Sequence, residues 1–448
     1  ELKNDESDYI HKNLLSKSIE NNIPKNHARL GFVTKSRANT IELLTEAVSS
    51  LESNNDKNEW TAKGVYFRSI GMDCNRKVVA LFSGQGSQYL NMGRDLFLNF
   101  PVMSKPFKVL DKLFFDKTVN SEKKPKTLSN FIFPINVFDE EKVEKQENNL
   151  QLTEIAQPAI GAISAGLLMV LKNAGFKPDF VAGHSFGELT ALWAAGVIED
   201  DDFYKLSFAR GQAMSAPKEK DFDAGSMLAV MGKVKNLEDD IIDFPDIVIA
   251  NHNSNKQVVV AGPTKSILKV HDFLKSKKYT VVKLQVSAAF HTPLVKHAQK
   301  PFAKAIRSVK FIKPKIPVYS NSTSKPYSSA PKTIQKQLES HILNSVRFRE
   351  QIENIYNDGG RIFVEFGPKN VLTKLVDNVL SGREYQAIAL NENPKKNSDH
   401  LFREAVLQLC VLGLPLQKFD PYEKSPTLKP IEKSAASITL NGNNYLSD

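Results

Sequence analysis

The 448-residue sequence predicts an α/β protein built on a parallel sheet, with a smaller sheet inserted into it. Three observations carry this expectation. Strand-like apolar runs alternate with helical runs over most of the chain, the order that makes parallel strands with crossover helices. One junction, "FVAGHSFGELTALWAAGVI" at 180–198, sets a Gly-x-Ser-x-Gly turn between a strand and a helix. Between 226 and 286 the rhythm changes to β-α-β-β-α-β, the ferredoxin-like order.

Taken in order, residues 1–76 read as a small α/β unit, a linker domain. "RLGFVTKS" and "GVYFRSI" are strands around an amphipathic helix, "ANTIELLTEAVSSLES". The large subdomain covers 77–225 and 287–395. It opens with "KVVALFSGQGSQYLNMGRDLF", strand to Gly-rich turn to helix. Residues 116–150 are polar and charge-dense, a surface excursion. "AQPAIGAISAGLLMVLKNAGF" is a buried helix ending at Gly175, and the Gly-x-Ser-x-Gly junction follows it. In the small subdomain, 226–286, "MLAVMG", the hairpin "DIVIANHNSNKQVVVAG" and "YTVVKLQV" are strands; "NLEDDIIDF" and "TKSILKVHDFLKSKK" are helices. Beyond it, "HTPLVKHAQKPFAKAIRSV" and "NVLTKLVDNVL" read as helices, and "IPVYSN" and "RIFVEFG" as strands. Residues 396–448 form a following linker, with the helix "DHLFREAVLQLCVLG" and then extended segments such as "DPYEKSPTLKP".

Composition excludes several classes. Hydrophobic content of 41% with 25% charged residues is that of a water-soluble globular chain. Apolar runs such as "AISAGLLMVL" are too short to span a bilayer, and the polar N-terminus is no secretory signal. The first residue is not Met, so a piece of a longer polypeptide is expected. Cys74 and Cys410 alone make neither a disulfide framework nor a zinc site, which points to the cytosol. The +10 net charge lies wholly in 77–395, because 1–76 and 396–448 are each balanced. No basic helix or aromatic cluster accompanies it, which argues against nucleic acid. It suits an acidic protein partner, or equally a set of solvated surface lysines.

The chemistry centres on Gly183-His184-Ser185-Phe186-Gly187. On a strand-to-helix turn this is a nucleophile elbow, with Ser185 displayed on strained backbone. The Phe186 N–H, at the helix start, can stabilise an oxyanion, and Gly196 is placed to stop the helix. Serine needs a base. His184 points away from its neighbour, and His252 and His271 are expected to face solvent. His291, between a strand and a helix, is either the base or a structural histidine. "SGQGSQ" lacks the Lys-Ser/Thr of a phosphate loop; Gln85 within it is a second oxyanion donor or an ordinary turn residue. Arg210, in "SFARGQAM", is either paired within the fold or faces the cleft and binds a carboxylate.

Taken together, "LFSGQGSQYLNMGRDL", "AQPAI", "VAGHSFGELTALWAAGVI", "ARGQAM", "NSNKQVVVAG", "AAFHTPLV", "NSVRF" and "VEFGPKNVLTKL" resemble, in order, the malonyl-CoA:acyl-carrier-protein acyltransferases. The likeness extends to the acyltransferase domains of polyketide synthases, nearest to those of polyunsaturated fatty acid synthases, and covers roughly 77–395. The resemblance implies an α/β-hydrolase-like large subdomain, with Ser185 as acylated nucleophile and His291 as base, its ring oriented by backbone carbonyl near "NSVRF". It implies an oxyanion hole of Gln85 and Phe186, and Arg210 on the malonyl carboxylate. No bound cofactor or metal is implied; malonyl-CoA is the substrate, and the partners are carrier proteins bearing phosphopantetheine and an adjacent ketosynthase domain of the same chain.

Two positions depart from the family's pattern. Ala288 stands where malonyl-selective domains often have His, before a retained Phe290 whose bulk disfavours a 2-methyl group. Ser83 stands where proline is common. The competing readings are a serine thioesterase or hydrolase, which shares Gly-x-Ser-x-Gly, and a silent docking domain for carrier proteins.

Overall fold

The structure is a computed structural model describing residues 9–20, 23–119, 126–217, 219 and 222–417. Its N-terminal sheet is antiparallel: β1 (Arg29–Phe32), β2 (Glu59–Ala62) and β3 (Val65–Arg68) lie in the order β1-β3-β2. The strand β2 carries no strong apolar alternation and escapes a sequence reading. The expected helix forms over Arg37–Ser53, its start capped by Ser36 accepting from the Asn39 N–H.

The central sheet is parallel throughout. It holds β4 (Val78–Phe82), β5 (Phe180–Gly183), β10 (Val318–Tyr319), β11 (Ile362–Phe366) and β12 (Gln386–Ala389), in the order β10-β5-β4-β11-β12. Every residue of β4 and β11 is buried, as in a sheet covered on both faces. The strand β4 deals its side chains alternately: Val78, Ala80 and Phe82 enter one core, Val79 and Leu81 the other. The first core is filled by the helix Thr153–Asn173, the second by the helices Phe348–Asn357 and Val371–Val379.

That first helix corrects one expectation. At 21 residues with a window of mean hydropathy 1.6, it is long and apolar enough to cross a membrane. Its apolar surface is instead spent inside the fold, where 89% of the window is buried. The helix stops as expected: Gly175 takes φ 95°, its N–H donates to Lys172 O and the Phe176 N–H to Leu171 O.

The smaller sheet has β6 (Ser226–Met231), β7 (Val248–Ser254), β8 (Gln257–Gly262) and β9 (Thr280–Lys283) in the order β7-β8-β6-β9, all neighbours antiparallel. This is the predicted ferredoxin-like arrangement. Its first helix is reduced to a 3₁₀ turn, Val234–Asn236, and one α-turn, Leu237–Asp240; three acidic residues crowd that turn. The chain leaves β9 at Lys283, so the approach to His291 is irregular and not the continued strand expected.

The stretch 116–150 is less superficial than its charge suggests, since Leu128, Ile132 and Leu150 are fully buried in the main core. The helix Ser398–Leu412 ties the N-terminal sheet to the rest. Phe402 meets Phe100 at 5.5 Å between ring centroids. A Cβ on Gly31 would lie 2.5 Å from Leu407, and the buried Arg29 donates to Cys410 O at 3.3 Å. The extended segment "DPYEKSPTLKP" lies outside the described residues.

Candidate active site

Ser185 follows β5 and precedes the helix Gly187–Ala194 with φ 53°. A non-glycine residue in the left-handed region costs roughly 1–2 kcal/mol; here it turns the hydroxyl out of the sheet. The flanking glycines serve a different purpose. A Cβ on Gly183 would lie 2.0 Å from the Gly187 carbonyl carbon, and one on Gly187 would lie 1.9 Å from Phe82 O. Strand and helix meet too closely for any side chain there. The helix ends at Gly196, φ 75°, with the Val197 N–H on Leu192 O.

The Ser185 Oγ lies 2.7 Å from His291 Nε2. His291 is 3% exposed and takes φ 62° just before the 3₁₀ turn Pro293–Val295. Its Nδ1 faces Asn344 O at 2.9 Å and His341 O at 3.3 Å. Carbonyls only accept, so Nδ1 carries the proton and Nε2 presents a lone pair to the serine. Two backbone carbonyls thus stand where a triad would have a carboxylate. Burial, then the charges of Arg210 and His184, push His291 down to about 3, which keeps the ring neutral and basic-side out. His184 turns away to Asn253 Oδ1, 2.7 Å. His252 is half-buried, contrary to expectation; His271 pairs with Asp272 at 2.8 Å.

Among the described residues the backbone N–H groups of Gln85 and Phe186 have no protein acceptor. The Gln85 side chain is occupied, donating to Thr153 Oγ1 at 3.2 Å and accepting from Gln157 Nε2 at 3.4 Å. Any oxyanion donor at Gln85 is therefore its main-chain N–H. Ser83, at the proline position, is buried against Gly367, where a Cβ would lie 1.9 Å from its Oγ.

Arg210 is fully buried. Nη1 donates to Gln157 Oε1 at 2.7 Å, and the guanidinium lies 5.7 Å from the Phe186 ring centroid. Nε and Nη2 are buried with no partner. Burial pulls Arg210 down to about 9 while Glu188 opposes it, so it remains a cation at neutral pH with two donors unspent. Phe290 is 6% exposed and packs in the main core one residue before His291.

Sequence reasoning missed the residues behind these. Asn321 Oδ1 accepts from the Ser185 N–H at 2.7 Å, and its Nδ2 donates to Gly183 O at 2.6 Å. His341 Nε2 reaches the same Oδ1 at 3.2 Å. Buried Glu188 accepts from the Asn321 N–H and the Tyr327 hydroxyl; burial nevertheless raises it to about 7. No local spacing marks Asn321, which lies 136 residues from the serine it holds.

Ser185 on its strained turn, His291 held by two backbone carbonyls and the half-satisfied Arg210 are arranged as acyl transfer through a serine would require. Residues 79–413 match the acyl transferase domain family, and the chain belongs to it. It is 32% identical over 434 residues to one of the polyunsaturated fatty acid synthase polypeptides of Thraustochytrium sp., covering 95% of this chain and 15% of that protein. To the malonyl CoA-acyl carrier protein transacylase of Synechocystis sp. it is 30% identical over 301 residues, 67% of this chain and 92% of that one. The crystal structure of the acyltransferase domain from the second module of the salinomycin polyketide synthase superposes with TM-score 0.71 at 26% identity, covering 90% of this chain and 86% of that one. The hydrolase alternative gains no support from these likenesses.

Proposed function

We propose that this chain moves malonyl from malonyl-CoA to the phosphopantetheine thiol of an acyl carrier protein through a malonyl ester on Ser185. The observation that carries the reading is the Ser185–His291 contact beside a buried arginine with two unpartnered donors. His291 Nε2 takes the serine proton as Oγ attacks the thioester carbon, and the Gln85 and Phe186 N–H groups hold the oxyanion. As the tetrahedral species collapses, the C–S bond breaks and the imidazolium returns its proton to the departing CoA sulfur. In the second half the carrier's thiol gives its proton to His291 and attacks the ester; Ser185 leaves as an alcohol, reprotonated by the same ring.

Arg210 binds the free carboxylate through Nε and Nη2, and Phe290 crowds a 2-methyl substituent. The carrier domain, an adjacent ketosynthase on a longer polypeptide and a cytoplasmic setting belong to the same proposal, supported by the likeness to a large synthase polypeptide and by two free thiols. The test is intact-protein mass spectrometry after brief mixing with equal malonyl-CoA and acetyl-CoA. A malonyl adduct, absent in Ser185→Ala, is expected. Hydrolysis of both thioesters without an adduct would restore the thioesterase reading, and neither adduct nor turnover would leave a docking domain.

A further inference from the structure

Arg210, Gln157, Gln85, Thr153 and Ser287 form one unbroken line of side-chain hydrogen bonds. Arg210 Nη1 donates to Gln157 Oε1 at 2.7 Å, and Gln157 Nε2 to Gln85 Oε1 at 3.4 Å. Gln85 Nε2 donates to Thr153 Oγ1 at 3.2 Å, and the Thr153 and Ser287 hydroxyls are 2.7 Å apart. The order of donors is not free. A guanidinium only donates, so Gln157 must show it the oxygen; the amide nitrogen then faces Gln85, whose own nitrogen is left for Thr153. The cation at one end orients every amide in the line.

The line joins three working parts: the carboxylate-facing arginine, the loop offering the Gln85 N–H, and the segment that carries His291 four residues after Ser287. The loop needs such an anchor. Gly86 follows Gln85 at φ 103°, in open space with nothing within 4 Å of a Cβ position. The loop's other ties fall on the residues around Gln85: the Gly86 N–H to Gln88 Oε1 at 2.7 Å, Lys369 Nζ to Gly86 O at 3.3 Å, the Ser87 hydroxyl to Gly84 O at 2.9 Å and Gln88 Nε2 to Gln151 Oε1 at 2.6 Å. Thr153 and Gln157, by contrast, are 0% and 2% exposed, one turn apart on the long buried helix Thr153–Asn173.

We propose that Thr153 and Gln157 are positioning residues that fix the Gln85 side chain, and with it the oxyanion-facing N–H, coupling recognition at Arg210 to the acyl-transfer step. The proposal rests on the malonyl-transfer reading above. An N–H aimed in advance at the developing oxyanion is worth far more than one that must be ordered during reaction.

The experiment measures single-turnover acylation of the full chain by malonyl-CoA and by acetyl-CoA, with thermal unfolding of each variant. Acetyl has no carboxylate, so it reports on the loop alone. Thr153→Val removes the hydroxyl at the end of the line remote from Arg210. The acylation rate should fall about tenfold with both donors, a fraction of the roughly 10²–10³ lost when a whole oxyanion donor goes. KM should stay unchanged, and Thr153→Ser should restore the rate. Gln157→Leu should show the same loss with acetyl and, in addition, a raised KM for malonyl. An unchanged acetyl rate in Thr153→Val would overturn the proposal, as would a loss confined to malonyl. Should Thr153→Val not fold, Gln85→Met keeps the main-chain N–H and drops only the anchoring amide; the same tenfold loss supports the proposal and wild-type acetyl transfer refutes it. Arg210→Ala with malonyl preference intact would remove the clamp reading, while the acetyl arm still decides the anchor.

Discussion

Replacing Arg210 by alanine separates carboxylate recognition from chemistry. The wild-type guanidinium is fully buried, makes one side-chain hydrogen bond, to Gln157, and leaves Nε and Nη2 unpartnered. In the proposed clamp a malonyl carboxylate would fill both donors in the bidentate geometry arginine favours. An acetyl group leaves them bare. Leaving one member of a buried ion pair alone costs roughly 3–5 kcal/mol. At about 1.4 kcal/mol per decade, that is a malonyl-over-acetyl preference of roughly two to three and a half orders of magnitude in kcat/KM. In Arg210→Ala the penalty changes sides. The malonyl carboxylate now enters an apolar site beside Phe186 without a cation, so malonyl transfer should collapse, while acetyl transfer should improve on balance because relief of about 3–5 kcal/mol outweighs the roughly tenfold lost with the Arg210–Gln157 bond. Paired acylation rates from malonyl-CoA and acetyl-CoA, read by intact mass, decide it. A variant that kept its malonyl preference would place selectivity elsewhere and refute the clamp.

Four further outcomes follow from the same geometry. Because burial, Arg210 and His184 hold His291 at about 3 against an ordinary 6.5, acylation should stay flat from about pH 8 to about pH 5; an inflection near 6.5 would show the ring titrating as a free imidazole. The same depression means that the unfolded chain binds a proton below about 6.5 that the folded one refuses, so this histidine removes stability as pH falls through that window. Ser185→Gly and Ser185→Ala should both be inactive, yet the glycine variant should be more stable by about 1 kcal/mol because φ 53° suits it; equal denaturation midpoints would argue against strain at the elbow. Asn321→Ala leaves the Ser185 N–H and Gly183 O unpaired and should cost roughly 2–4 kcal/mol in urea unfolding, with a lower acylation rate at unchanged KM.

Much of the site was legible because local grammar exposes it. A nucleophile on a strained turn requires a strand before it, a helix after it and glycines where backbones touch, and all of these lie within 180–198. The buried helix and its Gly175 stop, and the ferredoxin-like order, are equally local patterns, periodic in apolar residues and closed by turn residues. Failures came where structure is decided at a distance. The strand β12 owes its state to pairing with β11, and the charged run around 128–150 hides three core side chains beneath its polar surface.

Arg210 shows why the boundary falls there. Its neighbours revealed an arginine in apolar company, but whether it was paired or waiting for a ligand depended on which atoms Gln157 and Glu188 offered it. Only the fold could say that one guanidinium nitrogen is satisfied and two are not. The orientation of Gln157, in turn, is forced by that cation and decides how Gln85 is held. Chemistry carried by single residues can be seen in a sequence. Chemistry carried by the direction in which an amide points belongs to contacts between distant segments, and here those contacts connect the arginine proposed to select the acyl group with the loop proposed to stabilise its transfer.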